Sequence, residues 1–347
     1  MISSRRVSVA AVAAALALIA AACSSGGGKK TTAGSTAAPA TTTTTVPPVF
    51  PLTGLPAGAD PKQNRPALVV KIENIAEARP QSGLVEADVV YEEVVEAGLS
   101  RLIVVYQSKD ADPVGPVRSI RPSDPAIVKP LNPLFAYSGG TAKFINMLHA
   151  AGITDVGVDG APNAYYRRPG RSAPHNLYTS TPRLYTHAPA GLGPPPKIFD
   201  FLGPGEPFAG AGVAPATHLS VQPGQRTSAA YDYDPAIGVW RRTSNGTPQV
   251  VEGGALVAPT NVILWFVPYI ASPGDVDVVG EPVTVAQVVG TGDAWVLSQG
   301  KVVKGKWSKP SPEAPVQFTD AVGAPIKIAP GITWVEVQPV GTPATAQ

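Results

Sequence analysis

The sequence is poor in charge, in cysteine and in long apolar runs, and each shortage excludes a class of protein. Charged residues make up only 15% of the 347 residues, too few for coiled coils or long solvent-exposed helices. The single cysteine excludes an intramolecular disulfide and a cysteine-based metal cluster. A formal net charge of +2 gives no electrostatic basis for binding nucleic acid, so we predict no nucleic-acid partner.

The sequence is instead rich in residues that form turns. It contains 35 glycines and 39 prolines, and 44% of its residues are hydrophobic. This composition predicts many short strands that are joined by turns and that enclose an apolar core. The length suffices for two domains of about 100–200 residues each.

The N-terminus has the layout of a secretory signal peptide. Arg5 and Arg6 precede an apolar run from Val7 to Ala22, and Cys23 follows at once. The run of about 16 residues is short for a membrane-spanning helix, which needs about 20. The segment ending at Cys23 resembles the bacterial lipobox, which implies lipidation (diacylglycerol, palmitate) of Cys23 and an anchor at the extracytoplasmic face of the cell membrane. The alternative is an ordinary signal peptide whose cleavage leaves a free thiol.

Composition and patterning then divide the chain into segments. In the first part of the chain, predicted strands are interspersed with short helices, which predicts a mixed, layered α/β domain. In the second part, predicted strands follow one another without helices, which predicts a mainly-β domain. The predicted segments are a signal peptide (1–22), a lipid-anchored disordered linker rich in Thr, Ala, Pro and Gly (23–50), an N-terminal α/β domain (51–195), a Pro/Gly connector (196–215), a C-terminal β domain (216–340) and a tail (341–347).

Several elements of the N-terminal domain can be placed. Residues 67–72 read as a buried strand, and residues 88–96 and 99–107 read as a hairpin around Ala97-Gly98. Residues 141–151 read as a helix that ends at Gly152. A further helix is predicted to begin at Ser123.

The C-terminal half contains all five tryptophans. Its short strands predict a sandwich or a barrel-like unit, in which large aromatic residues fill the core. The alternative is that some of these rings form a platform on which sugars stack. The tryptophans are Trp240, Trp265, Trp295, Trp307 and Trp334.

Longer motifs carry a resemblance to a known family. They include Ala87–Glu92, Gly115–Pro122, Pro174–Tyr178, Trp240–Arg242 and Pro330–Trp334, in this order along the chain. Together they resemble the YerB-like lipoproteins, a bacterial family of unknown function, over about residues 52–338. The resemblance implies a membrane-anchored extracytoplasmic protein with a layered α/β N-terminal domain, and it implies no activity.

Charge is segregated along the N-terminal domain. Residues 73–96 contain seven acidic residues and one arginine, whereas residues 118–183 contain eight basic and three acidic residues. Arginines in loops can present planar forks to a carboxylate or phosphate. The alternative is that they pair internally with the acidic segment. The predicted anion-binding residues are Arg118, Arg121, Arg167, Arg171, Asn176, Gly139 and Gly140.

His175 has the best functional context of the four histidines, because it lies in a polar loop stiffened by Pro174. As a general base it needs a carboxylate to orient it, and Asp159 is the predicted partner. Ser138, before Gly139-Gly140, is the predicted nucleophile. The alternative is a hydrogen-bonded structural histidine. Glu92 and Glu93 are adjacent on a strand, so they are predicted to point to opposite faces.

Two functions follow. The first is a binding or scaffold module of the cell envelope that recognises an anionic glycan, peptide or protein, such as a cell-wall component. The second is an extracytoplasmic hydrolase of envelope material that uses His175 and Asp159. Motifs for metal-dependent hydrolysis, nucleotide binding and calcium binding are missing from the sequence, so we predict no cofactor and no metal.

Overall fold

The computed structural model describes residues 47–277 and 280–347. The predicted signal peptide, Cys23 and most of the predicted linker lie outside the described residues. Val49, near the end of that linker, forms a bridge with Pro56, and Phe50 is buried. None of the helices in the described ranges has the length and apolar character needed to span a membrane.

The described chain consists mainly of short strands. The helices are α1 (Asp124–Val128), α2 (Ala142–Ala150) and α3 (Thr181–Tyr185), with single 3-10 turns at Pro61–Asn64, Ala76–Ala78, Glu96–Gly98, Lys129–Leu131 and Pro162–Ala164. The strands are β1 (Leu68–Glu73), β2 (Val89–Val94), β3 (Ser100–Tyr106), β4 (Leu134–Ala136), β5 (Thr154–Asp155), β6 (Tyr166–Arg167), β7 (Leu177–Tyr178), β8 (Asp200–Phe201), β9 (Ala214–Pro215), β10 (His218–Gly224), β11 (Thr227–Asp234), β12 (Val239–Ser244), β13 (Thr247–Pro248), β14 (Asn261–Val267), β15 (Tyr269–Val276), β16 (Pro282–Ala286), β17 (Gly290–Ser298), β18 (Lys301–Lys309), β19 (Gln317–Thr319), β20 (Lys327–Ile328), β21 (Thr333–Pro339) and β22 (Ala344–Ala346).

The predicted hairpin is confirmed and lies at the centre of the fold. β2 and β3 pair antiparallel from Val89↔Val105 to Val94↔Ser100, and β1 pairs with the other side of β3. The turn needs left-handed backbone at Ala97 (φ 56°) and Gly98 (φ 66°). A side chain at Gly98 would also meet the backbone of residues 225–226. Glycine is therefore favoured at this position by its positive φ and by the close approach of this backbone.

The predicted helix after residue 141 is also confirmed. The Thr141 hydroxyl caps it by accepting the Phe144 N–H at 3.4 Å, and Gly152 ends it with φ 64°. Helix α1 begins where predicted, but the Ser123 hydroxyl accepts the Ala286 N–H at 2.9 Å instead of capping the helix. Ser123 therefore ties α1 to the C-terminal half.

One sheet of 11 strands runs through both halves of the chain. Its order is β19-β18-β17-β14-β21-β2-β3-β1-β4-β5, with β9 beside β18. The halves join where β21 pairs in parallel with β2 on one side and with β14 on the other. The described residues fall in one compact unit, Val46–Gln347. The predicted fold class, layered α/β followed by mainly β, is confirmed, and the last strands of the chain complete a sheet begun by the first.

The two faces of this sheet have different covers. The face that carries Val69, Tyr91 and Ile103 packs against α1 and α2, and we call it the helix face. The opposite face carries Val70 and Leu102 and packs against a second sheet of order β13-β12-β11-β10-β22; we call it the small-sheet face. Because side chains alternate along a strand, neighbouring residues serve different layers.

Candidate functional site

The candidate site lies at the end of β1 on the helix face. Glu73, the last residue of β1, is 2% exposed. His175 Nδ1 lies 2.7 Å from Glu73 Oε2. Arg118 Nε lies 2.9 Å from Glu73 Oε1 as an ion pair whose angle does not satisfy a hydrogen bond. A single buried carboxylate therefore holds one side of an imidazole and one side of a guanidinium.

Backbone pairing explains why these three residues meet. The Arg118 N–H donates to the Lys71 carbonyl and the Val117 N–H donates to the Leu177 carbonyl, both at 2.8 Å. The segment containing Arg118 is thus inserted between the end of β1 and the loop that carries His175. Residues 102 positions apart in the chain become neighbours in this way.

The outer atoms of the site point away from Glu73. The Arg118 and His175 side chains are 21% and 25% exposed, against 3% for Glu73. Within the described ranges, no protein acceptor is bonded to the Arg118 Nη atoms or to His175 Nε2. We call Glu73, Arg118 and His175 the Glu73 site. Its buried carboxylate holds the two cationic side chains in place, and their outer nitrogen atoms face solvent.

The surroundings of the Glu73 site carry a local excess of positive charge. Arg101 is 9% exposed and donates to the Ser119 carbonyl at 3.1 Å. Arg121 forms a two-pronged ion pair with Glu96, at 2.6 and 2.7 Å. Burial, reinforced by the charges of Arg121 and Arg118, lowers the pKa of Arg101 to about 9 although Glu96 and Glu73 oppose the shift. Three arginines here share two carboxylates.

A buried triad lies deeper on the same face. Lys71 Nζ contacts Glu93 closely and lies 2.6 Å from Asp124 Oδ1, and all three side chains are at most 1% exposed. Burial raises the pKa of Glu93 to about 7 against the pull of Lys71. With Glu93 ionised, the triad carries one net negative charge that offsets the arginine excess; with Glu93 protonated, it does not.

The remaining predicted arginines have mixed partners. Arg167 Nη1 donates to Asn176 Oδ1 at 2.7 Å, and Asn176 Nδ2 donates to the Arg171 carbonyl at 3.2 Å. Arg171 donates to two backbone carbonyls of residues 78–80, at 3.0 and 2.8 Å. Arg167 and Arg171 thus bind neutral oxygens, whereas Arg118 and Arg121 have carboxylate partners, as does Arg168, whose fork contacts Glu252. Internal pairing with the acidic segment is thus present at Arg118 and Arg121, and anion binding stays a prediction.

The Ser138-Gly139-Gly140 turn lies behind the site. The Ser138 N–H donates to the Arg118 carbonyl, and the Ile120 N–H donates to the Gly139 carbonyl, both at 3.0 Å. The Ser138 hydroxyl lies 3.5 Å from that of Ser119. Gly140 has Ile120 against its backbone, where an added Cβ would come within 2.4 Å. The turn therefore fixes the segment that carries Arg118.

The carboxylate beside His175 is Glu73 and not the predicted Asp159. Asp159 is exposed in the turn after β5. Proximity in sequence favoured Asp159, but strand pairing brings Glu73 to His175 from the other side of the domain. Charged residues at alternating positions in a strand otherwise apolar, Lys71 and Glu73, were the available signal. The other members that sequence reasoning missed are Glu96, Arg101 and Asp124.

A second ionic network lies on the small-sheet face. Arg242, on β12, contacts Glu92 closely, lies 3.6 Å from Glu336 Oε1, and donates through Nε to the Tyr231 hydroxyl at 2.9 Å. Its side chain is 0% exposed and its guanidinium stacks 4.5 Å from the centre of a Trp334 ring. Burial raises the pKa of Glu336 to about 8. Glu92 and Glu93 point to opposite faces, as predicted.

Among the residues that the structure describes, no three or more His, Cys, Asp and Glu side chains are grouped so that they could hold a metal ion.

Comparison with known proteins places these features in a family. Residues 52–191 match the N-terminal domain, and residues 219–335 the C-terminal domain, of a protein of unknown function named DUF3048. The chain belongs to this family. The Glu73 site lies entirely within the N-terminal match, whereas Arg242 lies within the C-terminal match.

A sequence comparison and a structural comparison both confirm the resemblance to YerB. The chain is 35% identical over 132 residues to a Bacillus subtilis (strain 168) protein named "Putative lipoprotein YerB". That match spans 38% of this chain and 39% of the relative, well under two thirds of its length. A crystal structure of YerB protein from Bacillus subtilis matches with a TM-score of 0.74 and 22% identity, covering 86% of this chain and 99% of that one. At this identity the structural match establishes the shared fold.

Proposed function

We propose that this protein is a lipid-anchored binding module of the cell envelope that recognises an anionic group on a glycan, peptide or protein. The observation that supports this most is the Glu73 site, in which a buried carboxylate holds the inner atoms of Arg118 and His175 and leaves their outer nitrogens without a protein acceptor in the described ranges. A fixed guanidinium with free Nη donors matches the geometry of a carboxylate or a phosphate.

The charge balance around the site supports the same ligand class. The three arginines near Glu73 share two carboxylates, and the pKa of Arg101 is lowered partly by its arginine neighbours. A bound anion would relieve this repulsion, so it gains more here than at a single exposed arginine. Arg167 and Arg171, whose partners are neutral oxygens, lie in the loop beside His175 and can extend the contact. Asn176, Gly139 and Gly140 position this loop and the segment behind it.

Binding of inorganic phosphate tests the proposal. We expect the full chain, purified in detergent and titrated by calorimetry, to bind phosphate, and Arg118→Gln or His175→Gln to weaken binding about tenfold. Arg241→Gln is the matched control, because Arg241 is an exposed arginine that pairs with Asp234. If Arg118→Gln stays folded and binds phosphate as tightly as the wild type, the site is only a structural ion pair and the proposal fails.

The anchor is part of the proposed function. It rests on the lipobox resemblance at Cys23 and on the name of the relative, "Putative lipoprotein YerB". Diacylglycerol and an N-acyl chain would supply the two or more chains that stable anchoring needs. We expect Cys23→Ala to move the protein from the membrane fraction to the soluble extracytoplasmic fraction. Tight membrane association of that variant in a detergent-free fractionation would contradict the anchor.

A hydrolase is the second candidate, because the Glu73 carboxylate orients His175 as a general base requires. It is less well supported, since in the described part of the chain the Ser138 hydroxyl is bonded to Ser119 and not to His175. Incubation of purified cell wall with wild type and with His175→Gln distinguishes the two. Release of new reducing ends or amino groups by the wild type alone would favour the hydrolase.

A further inference from the structure

Trp295 differs from the other tryptophans of the chain. Trp240, Trp265, Trp307 and Trp334 are at most 2% exposed, as expected for a core. Trp295, on β17, points to the small-sheet face, where it packs against the core but stays partly exposed. Four of the five rings therefore follow the core prediction, and one is available at the surface.

Trp295 lies in a groove large enough for a small ligand. The groove has a volume of about 740 Å³, within the range of about 300–1,000 Å³ that is typical of ligand sites. Phe266 meets Trp295 edge-on, with ring centres 5.5 Å apart and an angle of 67° between planes. Val340, 62% exposed, adds a further apolar wall. The groove thus combines an aromatic corner with an open side.

The rim of the groove is charged, with one cation in excess. Lys306 pairs with Asp293 at 2.5 Å, and both side chains are more than half exposed. Lys304 Nζ lies 4.0 Å from the centre of the Trp295 ring, and no carboxylate of the described residues lies within ion-pair distance of it. The Lys304 ammonium therefore lies over the Trp295 ring without a neighbouring carboxylate to neutralise its charge.

We propose that this groove binds an acidic sugar, with the ring of the sugar against Trp295 and Phe266 and its anionic substituent at Lys304. The C–H face of a sugar ring is apolar and suits an aromatic corner, and its hydroxyls suit the charged rim. A peptide strand fits less well, because β17 is already paired on both sides by β14 and β18. A helix fits less well because the rim brings three charges to the apolar surface.

The groove is independent of the Glu73 site. Five strand spacings of about 4.8 Å separate β17 from β1, about 24 Å in all, and the two sites lie on opposite faces of the sheet. The proposal therefore does not depend on anion binding at Arg118. Its test is made in the Arg118→Gln background, so that the Glu73 site contributes less to the binding of an acidic probe.

The probes are N-acetylmuramic acid, which carries a carboxylate, and N-acetylglucosamine, which has the same ring without it. We expect the full chain with Arg118→Gln to bind the acidic sugar, measured by calorimetry, and to bind the neutral sugar about fivefold more weakly. Adding Trp295→Leu should weaken both sugars about tenfold, and adding Lys304→Ala should remove the preference for the acidic one. Lys301→Ala, on the same strand but outside the groove, is the control and should change neither.

Several outcomes would overturn the proposal. One is that neither sugar binds at tens of millimolar. Another is that Trp295→Leu, folded by its thermal transition, binds both sugars like its parent. If Trp295→Leu fails to fold, Lys304→Ala decides, because exposed Lys304 supports no core packing: an unchanged preference for the acidic sugar contradicts the proposal. Weaker phosphate binding in Arg118→Gln with unchanged sugar binding would confirm that the two sites are separate.

Discussion

Two ionic networks lie on either side of one strand, and their difference separates a structural cluster from a candidate binding site. Glu92 points to the small-sheet face and meets Arg242, whereas Glu93 points to the helix face and meets Lys71. Both networks use buried carboxylates and cations. The first is closed, since Arg242 projects from β12 of the second sheet toward Glu92 and its side chain is 0% exposed. The Glu73 site lies on the same face as the Lys71 triad, two residues further along β1; we call it the open network, because Arg118 and His175 are partly exposed.

The comparison shows that solvent access, and not residue type, decides whether a buried ion pair can bind a ligand. Desolvation makes a closed pair costly to break and of little use for recognition. A pair whose inner atoms are fixed and whose outer atoms reach water is already oriented for a ligand, so binding loses less side-chain entropy. The following substitutions test this difference, from the largest expected effect to the smallest.

Arg242→Met breaks the closed network. It leaves Glu92 and Glu336 buried without a cation, so we expect the free energy of unfolding to fall by about 3–5 kcal/mol. Urea denaturation measures the loss. The neighbouring substitution Arg241→Met removes only an exposed pair with Asp234 and should cost under about 1 kcal/mol. Similar small losses for both would show that the closed network is not structural.

Glu73→Gln alters the open network and should cost less, about 1–3 kcal/mol. Arg118 and His175 are partly exposed, so water can solvate them when the carboxylate charge is lost. The same urea series measures it. A loss as large as that of Arg242→Met would mean that the Glu73 site is as closed as its counterpart, and the distinction between the two networks would fail.

Glu336→Gln changes the pH dependence of stability. The pKa of Glu336 is raised from 4.5 to about 8 in the folded protein, mainly by burial. The folded state therefore holds a proton that the unfolded chain releases, and stability falls as pH rises from about 4.5 to about 8. The variant should lose this part of the slope, at most about 1.4 kcal/mol per pH unit, and gain stability at pH 8. An unchanged slope between pH 5 and 8 would show that Glu336 is ionised throughout.

Arg167→Gln is expected to have the smallest effect on stability. Arg167 is exposed and its side chain donates to Asn176, so the free energy of unfolding should change by less than about 0.5 kcal/mol. Phosphate affinity should still fall about two- to threefold, because a cation beside His175 is lost. Thermal melts and calorimetry measure the two quantities. A large loss of stability with unchanged affinity would assign Arg167 a structural role only.

Much of the fold was predictable, because local patterns determine it. An apolar run defined β1, two β-rich runs around Ala97-Gly98 defined the β2–β3 hairpin, and Thr141 with Gly152 bounded α2. The union of both halves in one sheet was not predictable, since the pairing of β2 with β21 joins residues far apart in sequence and leaves no local trace.

The candidate site was predicted only in part, again because its contacts join residues that are far apart in the sequence. Arg118 and His175 were singled out from loop composition and lie together. Glu73, which holds both, was missed because an acid at the end of a buried strand has many potential partners. The exposure of Trp295 was also missed, because strand alternation shows which face a side chain points to and not how completely that face is buried.

The four histidines provide the most direct test of the central claim, that the open network binds an anion. His149 and His218 also lie beside a carboxylate, at 2.8 Å from Asp155 and 2.7 Å from Asp232, so they serve as internal controls for His175. Proton NMR of the imidazole rings during a phosphate titration follows each one. The account predicts that the His175 resonance shifts and saturates while those of His149 and His218 stay in place, and that Arg118→Gln moves the His175 shift to about tenfold higher phosphate. An unmoved His175, or equal shifts at all the histidines, would contradict it.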